Sequence, residues 1–112
     1  MARFTGWRLM ARDRAAYLWV TYGITPEEYD EILAFQGGVC AICQKEPVGR
    51  HFDVDHEHVR GYKAMIPEHK RRYVRGIACW SCNKFRINGH DVQSAAAVLA
   101  YLRNPPARKV LK

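Results

Sequence analysis

Acidic side chains are scarce in this chain: 11 Asp and Glu stand against 18 Lys and Arg over 112 residues, leaving a formal charge of +7. That imbalance points to a polyanionic partner, nucleic acid being the usual one, although a basic surface kept for solubility has the same composition. Long apolar runs are missing as well. None is long enough to span a bilayer, and no apolar leader is present, so the cytoplasm is the expected compartment. Nothing repeats at a fixed period, which argues against a solenoid or propeller. At 112 residues the chain is expected to form one domain with a small core, to which a structural metal would contribute usefully.

Cysteine is limited to four residues, and all four fall in two Cys-x-x-Cys pairs, Cys40/Cys43 and Cys79/Cys82. The first pair follows Gly37-Gly38 and the second follows Gly76, so the backbone can turn tightly and aim both thiolates of each pair at one point. Four thiolates at that spacing suit a tetrahedral zinc ion. The alternatives are two disulfides or a redox pair. Disulfides would call for an export signal, and a redox motif would not occur twice. Zinc with four protein ligands has no open position for water, so its expected role is structural. Four thiolates on one divalent ion carry a net −2, which lowers the +7 to +5.

Between these pairs and on either side the chain divides readily. Trp7 to Tyr22 reads as a helix with Ala11, Ala15, Leu18, Trp19 and Tyr22 on one stripe, while Arg8, Arg12 and Arg14 lie on a solvated face or along a phosphate backbone. Gly23 ends it. Thr25-Pro26-Glu27-Glu28 starts a second helix with a capping box, Tyr29, Ile32, Leu33 and Gln36 share a face, and Gly37-Gly38 stops it. Residues 44–78 are long enough for a hairpin with an extended tip. Phe52 to His56 alternates as a strand does; an ideal strand would point Asp55 and His56 to opposite faces, so a shared site requires the strand to bend or end there.

The tip carries Arg60, Lys63, Lys70, Arg71, Arg72 and Arg75 against the single acid Glu68, with Tyr62 and Tyr73 interleaved. Such a loop suits a nucleic-acid backbone, or else is an exposed loop kept soluble by charge. Asn83 to Ile87 reads as one or two helical turns closed by Gly89, and its Lys84 and Arg86 are counted with the DNA contacts. Asp91 caps a last helix with Val92, Ala95, Val98, Leu99 and Leu102 as a packing stripe, Pro105-Pro106 ends it, and the basic tail 107–112 is expected to be unstructured. The expected organisation is α+β: N-terminal helices over 1–37, a zinc-bound core over 38–89, a helix over 90–104 and a tail over 105–112.

Phosphodiester hydrolysis needs an activated water, a cation to take up growing negative charge, and groups that hold the phosphate in line. His56 titrates near neutrality and can accept a proton from water, while Asp55 and the side-chain oxygen of Asn83 are hard ligands fit for Mg²⁺ or Mn²⁺. With so few acids nearby, one such ion is expected. His58 could orient His56, assist at the metal or protonate a leaving group. An Asp-His dipeptide alone is worth almost nothing, and Asn83 alone could be an ordinary cap. A catalytically silent zinc module that binds nucleic acid is the reading from another class; the intact set Asp55, His56 and Asn83 argues for the enzyme. His51, His69 and His90 read as surface residues and Glu57 as facing solvent.

The ordered motifs Tyr22-Gly23-Ile24-Thr25, Glu28-Tyr29, Gln36 to Cys43, Val54-Asp55-His56-Glu57-His58 and Val74 to Asn83 resemble the phage recombination endonuclease VII family of HNH, or ββα-metal, nucleases, over roughly residues 17–103. The resemblance implies that Asp55 and Asn83 bind catalytic Mg²⁺, that His56 is the general base and His58 an accessory histidine, and that cleavage leaves a 5′-phosphate and a 3′-hydroxyl. It also implies a zinc site that holds hairpin and helix together. The family's best-known members resolve Holliday junctions and other branched DNA as homodimers. The tip between His58 and Arg75 is longer than the family's compact turn, and the chain ends soon after Pro106, so less selective nicking by a monomer is the alternative expectation.

Overall fold

The structure, a computed structural model, describes the backbone of residues 6–111 and the side chains of residues 13–111; Ala11, Arg8 and Arg12 therefore lie outside the described side chains. Two compact units follow one another along the chain, the first running to Trp80 and the second starting at Ser81.

In the first unit, helix α1 (Gly6–Tyr22) ends where Gly23 turns left-handed at φ 74°, its N–H returning to the Trp19 carbonyl at 2.7 Å. Helix α2 (Pro26–Phe35) begins as the sequence indicates. Thr25 Oγ1 accepts from the Glu28 N–H at 3.1 Å, Glu28 Oε1 accepts from the Thr25 N–H at 3.0 Å, and Pro26 takes the first position. Strands β1 (Asp53–His56) and β2 (Val74–Ala78) pair antiparallel as a two-stranded sheet. The core forms where these elements meet, from Leu18, Ile24, Tyr29, Val54 and Ile77, with Tyr22, Ile32, Leu33, Phe52 and Val74 packed around it. Each such apolar side chain contributes on the order of 1.5–3 kcal/mol, so a core of this size gains appreciably from any further cross-link.

Gln36 joins α2 to the sheet. Its Nε2 donates to the Val39 carbonyl at 2.9 Å and the Ile77 carbonyl at 2.8 Å, and its Oε1 accepts from the Ile77 N–H at 2.9 Å. The side chain thus makes the pair of bonds a neighbouring strand would make.

The basic tip is folded rather than extended. It consists of a 3₁₀ turn (Tyr62–Ala64), a single-turn helix α3 (Pro67–Lys70) and a second 3₁₀ turn (Arg71–Tyr73) running into β2. Helix α3 packs against α1 so closely that a Cβ built on Gly23 would stand 2.0 Å from the Pro67 carbonyl oxygen.

The second unit opens with a widened π-helical turn (Cys82–Ile87), in which the Asn88 N–H reaches back five residues to the Asn83 carbonyl at 3.2 Å. Helix α4 (Val92–Arg103) is capped by Asp91, whose carboxylate accepts from the Ser94 N–H at 2.7 Å while Ser94 Oγ accepts from the Asp91 N–H at 3.0 Å. Its expected packing stripe is not packed. Val92, Val98, Leu99 and Leu102 are all exposed, because periodicity makes a face apolar without supplying what covers it. The tail differs from expectation as well: residues Ala107–Val110 form a short helix, α5, started by Pro106 at φ −57°. No helix among the described residues is long and apolar enough to cross a membrane.

Candidate active site and thiol cluster

The strand register is irregular beside Asp55 and His56. Asp53 pairs with Ala78, Val54 with Ile77 and Asp55 with Gly76, but His56 pairs with Val74. Arg75 is the extra residue on β2. This bulge lies on β2 opposite the step between Asp55 and His56, and β1 itself ends at His56.

The bulge also aims the Arg75 side chain. Its Nε donates to Asp55 Oδ2 at 2.7 Å and its Nη2 to Asp55 Oδ1 at 3.0 Å, a two-pronged pair on a carboxylate that is only 7 % exposed. His56 stacks on Tyr62 with ring centres 4.2 Å apart at 18°, and the His58 and Tyr22 rings lie 4.9 and 5.8 Å away. Removal from water lowers the His56 pKa, and the nearby charges of His58, Arg75 and Lys70 act the same way against the opposing pull of Asp55. The imidazole is therefore neutral, and able to accept a proton, at neutral pH. His58 is exposed beside it. The structure thus brings His56 and His58 together, with Asp55 preceding His56 on β1 and its carboxylate held by Arg75. Asn83 lies in the second unit, in the turn that follows Cys82, where it is half-buried.

Of the six tip cations, three are engaged within the fold. Lys70 is buried, donating to the Val20 carbonyl at 2.8 Å with its ammonium 5.3 Å from the Tyr62 ring centre. Arg71 donates to the Gly23 carbonyl at 2.8 Å and to both oxygens of Glu28, at 3.0 and 2.5 Å. Arg75 holds Asp55. Arg60, Lys63 and Arg72 are exposed. In the second unit Lys84 and Arg86 are also exposed, Arg86 reaching the Cys82 sulfur at 3.6 Å. Sequence reasoning treated Tyr62 as part of a DNA-facing loop, whereas it is buried beneath His56 with its hydroxyl on the Thr21 carbonyl at 2.5 Å. Only an aromatic residue in a basic loop signalled it.

The four cysteines come together. All are free thiols, and one sulfur from each lies within 4.8 Å of the others. Cys43 and Cys79 sulfurs are 3.8 Å apart, far beyond a disulfide bond and close to the edge, about 3.8 Å, of a tetrahedron with 2.3 Å Zn–S bonds. Burial would raise the Cys40 thiol, but the surrounding backbone N–H groups outweigh it and bring its pKa down to about 6; the N–H groups of Cys79 and Ile42 lie 3.3 and 3.4 Å from its sulfur. A site that favours thiolates in this arrangement can hold a zinc ion.

Fold and site together define a small α+β protein, a two-stranded sheet among helices with a four-thiolate cluster fit for zinc. The recombination endonuclease VII family model matches residues 15–104, and the chain belongs to that family. It is 40 % identical over 94 residues to the Gene 59 protein of Mycobacterium phage D29 and 38 % identical over 94 residues to that of Mycobacterium phage L5. Each alignment covers 81 % of this chain but 50 % and 51 % of the relative, so the chain spans about half the length of those proteins. No solved structure matches.

Proposed function

We propose that the protein is a metal-dependent DNA endonuclease with an HNH-type, ββα-metal core. The observation that carries this reading is that β1 ends at His56, just where its pairing with β2 slips at Arg75, so that the buried Asp55 carboxylate and the neutral His56 imidazole stand at the irregular end of the strand. Family membership, together with the resemblance of Val74 to Asn83 to the family's motif, supports the Asn83 side-chain oxygen as a second ligand. The donor set fits a hard cation: Asp55 offers a buried carboxylate, paired with a guanidinium that reaches solvent, and an oxygen-only pair leaves room for water and phosphate oxygens. Asp55 and Asn83 would hold Mg²⁺ or Mn²⁺, which supplies charge stabilisation at the phosphate being cut.

This chain's residues do the rest. His56 takes the proton from the attacking water, leaving a 5′-phosphate and a 3′-hydroxyl, and Tyr62 fixes the plane of its ring. His58 is the accessory histidine. Arg60, Lys63 and Arg72, with Lys84 and Arg86, contact the DNA backbone, while Lys70 and Arg71 hold the tip in shape. Zinc bound by Cys40, Cys43, Cys79 and Cys82 is structural. Branched DNA is the substrate in keeping with the family description, recombination endonuclease; a homodimer would be the form that cuts paired strands, and the phage origin of the relatives favours the cytoplasm of an infected bacterium as the place of action.

The test is cleavage of a four-way junction, a supercoiled plasmid and a linear duplex with Mg²⁺, comparing wild type, His56→Ala and Cys79→Ser. The reading expects cutting by wild type, loss of at least 100-fold in His56→Ala with zinc and DNA affinity kept, and loss of zinc and folding in Cys79→Ser. Tight DNA binding without cleavage in Mg²⁺ or Mn²⁺ would leave a zinc-dependent binding module instead.

A further inference from the structure

A cleft of about 540 Å³ opens between the C-terminal half of α1, the start of α2 and the segment entering β1. Its size is within the usual range for small-ligand sites. Leu18, Tyr29 and Val54, all core residues, are part of its lining, so it rests on a rigid base. Aromatic rings supply much of the remainder: Tyr17 meets Tyr22 edge-on with centres 5.8 Å apart, and His51 meets Tyr29 edge-on at 6.1 Å. Tyr17 is 56 % exposed although it belongs to this aromatic group.

Among the described residues, the charges lining the cleft balance. Arg14 and Arg50 are matched by Asp13 and Asp53; Arg50 pairs with Asp53 at 3.1 Å, and the Arg14 guanidinium carbon lies 4.7 Å from the Tyr29 ring centre. A phosphate group would call for an excess of cations. Aromatic faces with interspersed donors and acceptors suit a flat, uncharged heteroaromatic ring, which is what a nucleobase presents.

The position of the cleft says where that base would come from. Tyr22 belongs both to the cleft and to the surroundings of His56, their ring centres 5.8 Å apart. Asp53, also in the lining, precedes His56 by three strand residues, or roughly 10 Å. That is about the reach of a nucleotide or two along an unstacked strand.

We propose that this cleft receives a single unstacked base of the DNA, next to the phosphate to be cut. The proposal rests on the nuclease reading and deepens it by naming a feature of the substrate. Turning a base out of a duplex is least unfavourable where the base is already unpaired, so a base-holding cleft converts local unpairing into a binding preference. Shape selectivity then has a residue-level origin in Tyr17, Tyr22 and His51.

The experiment uses zinc-loaded protein without added Mg²⁺ or Mn²⁺, and a duplex carrying 2-aminopurine either as a one-base bulge or paired with thymine. Wild type is expected to bind the bulged duplex about tenfold more tightly, the free-energy equivalent of one base stacked on an aromatic ring, and to quench its fluorescence. Tyr17→Ala should remove the preference and the quenching while leaving affinity for the paired duplex within twofold, and Tyr17→Phe should restore both. Equal affinity of wild type for the two duplexes, or a full preference in Tyr17→Ala, would overturn the proposal. Where Tyr17→Ala weakens both duplexes alike, His51→Ala decides: loss of the bulge preference alone supports the cleft, and its retention sinks it. Because no cleavage is measured, failure here leaves the nuclease reading standing, and absence of cleavage in Mg²⁺ fails that reading separately.

Discussion

Arg75 grips both carboxylate oxygens of Asp55, Nε to Oδ2 at 2.7 Å and Nη2 to Oδ1 at 3.0 Å, from the one residue of β2 that has no partner on β1. The carboxylate is buried and the guanidinium is 41 % exposed, so the cation is the partner able to move. A divalent ion at Asp55 must compete with it.

Arg75→Gln is therefore expected to tighten Mn²⁺ binding several-fold, read by water-proton relaxation, because Asp55 loses its resident counter-charge. It should also lower stability by about 1–2 kcal/mol, less than for a fully buried pair because Arg75 reaches solvent. Unchanged Mn²⁺ affinity would show that the pair does not compete with metal.

Gly23 tolerates no side chain. Its φ of 74° is costly for an L-residue, and its Cβ would lie 2.0 Å from the backbone oxygen of Pro67, an atom that cannot rotate away. Gly23→Ala should lose about 3 kcal/mol or more, measured by urea unfolding of the zinc-loaded protein. A loss below about 1 kcal/mol would mean that α3 shifts freely on α1.

Glu28 closes the capping box and also binds Arg71, and these contacts, Arg71 first, lower its pKa from 4.5 to about 2. A depressed carboxylate stabilises the fold above its unfolded pKa and loses that contribution as pH falls toward the folded value. Wild type should exceed Glu28→Gln by about 1 kcal/mol near neutrality, a value reduced for the solvent around the pair, and the gap should narrow from about pH 4.5 down toward 2. Urea midpoints at matched zinc occupancy cancel thiolate protonation, which both proteins share. A gap independent of pH would assign Glu28 no electrostatic part.

The tip cations should separate into two groups. Replacing Arg60, Lys63 and Arg72 together by Ala is expected to flatten the salt dependence of DNA affinity by close to three units of log–log slope, with stability unchanged. Lys70→Ala should do the reverse, losing about 1–2 kcal/mol of stability through the Val20 carbonyl and the Tyr62 ring while the slope stays put. Equal effects from both variants would erase the distinction.

Local chemistry was legible in the sequence. Thr25 with Glu28, Asp91 as a cap and the two Cys-x-x-Cys pairs all follow from short-range spacing, and the structure has each where the spacing indicates. The need for a break between Asp55 and His56 could be stated from alternation alone. The structure meets it by ending β1 at His56; the slip at Arg75 was not legible, because a bulge arises from unequal residue counts on two paired strands, and the sequence of β1 carries nothing about β2. Tyr62 and Lys70 were hidden for a related reason: their partners, Thr21 and Val20, are 41 and 50 residues away. The stripe on α4 shows the opposite error, a correct period with no covering surface among the described residues.

Gln36 has a further consequence. A two-stranded sheet ordinarily offers its outer backbone groups to any passing extended chain, and an edge of that kind seeds aggregation. Here the N–H and C=O of Ile77 are both taken by one side-chain amide, and the C=O also accepts from the Ala41 N–H at 3.1 Å. The amide that follows α2 thereby occupies the outer backbone groups of β2 at Ile77, where an added strand would otherwise pair.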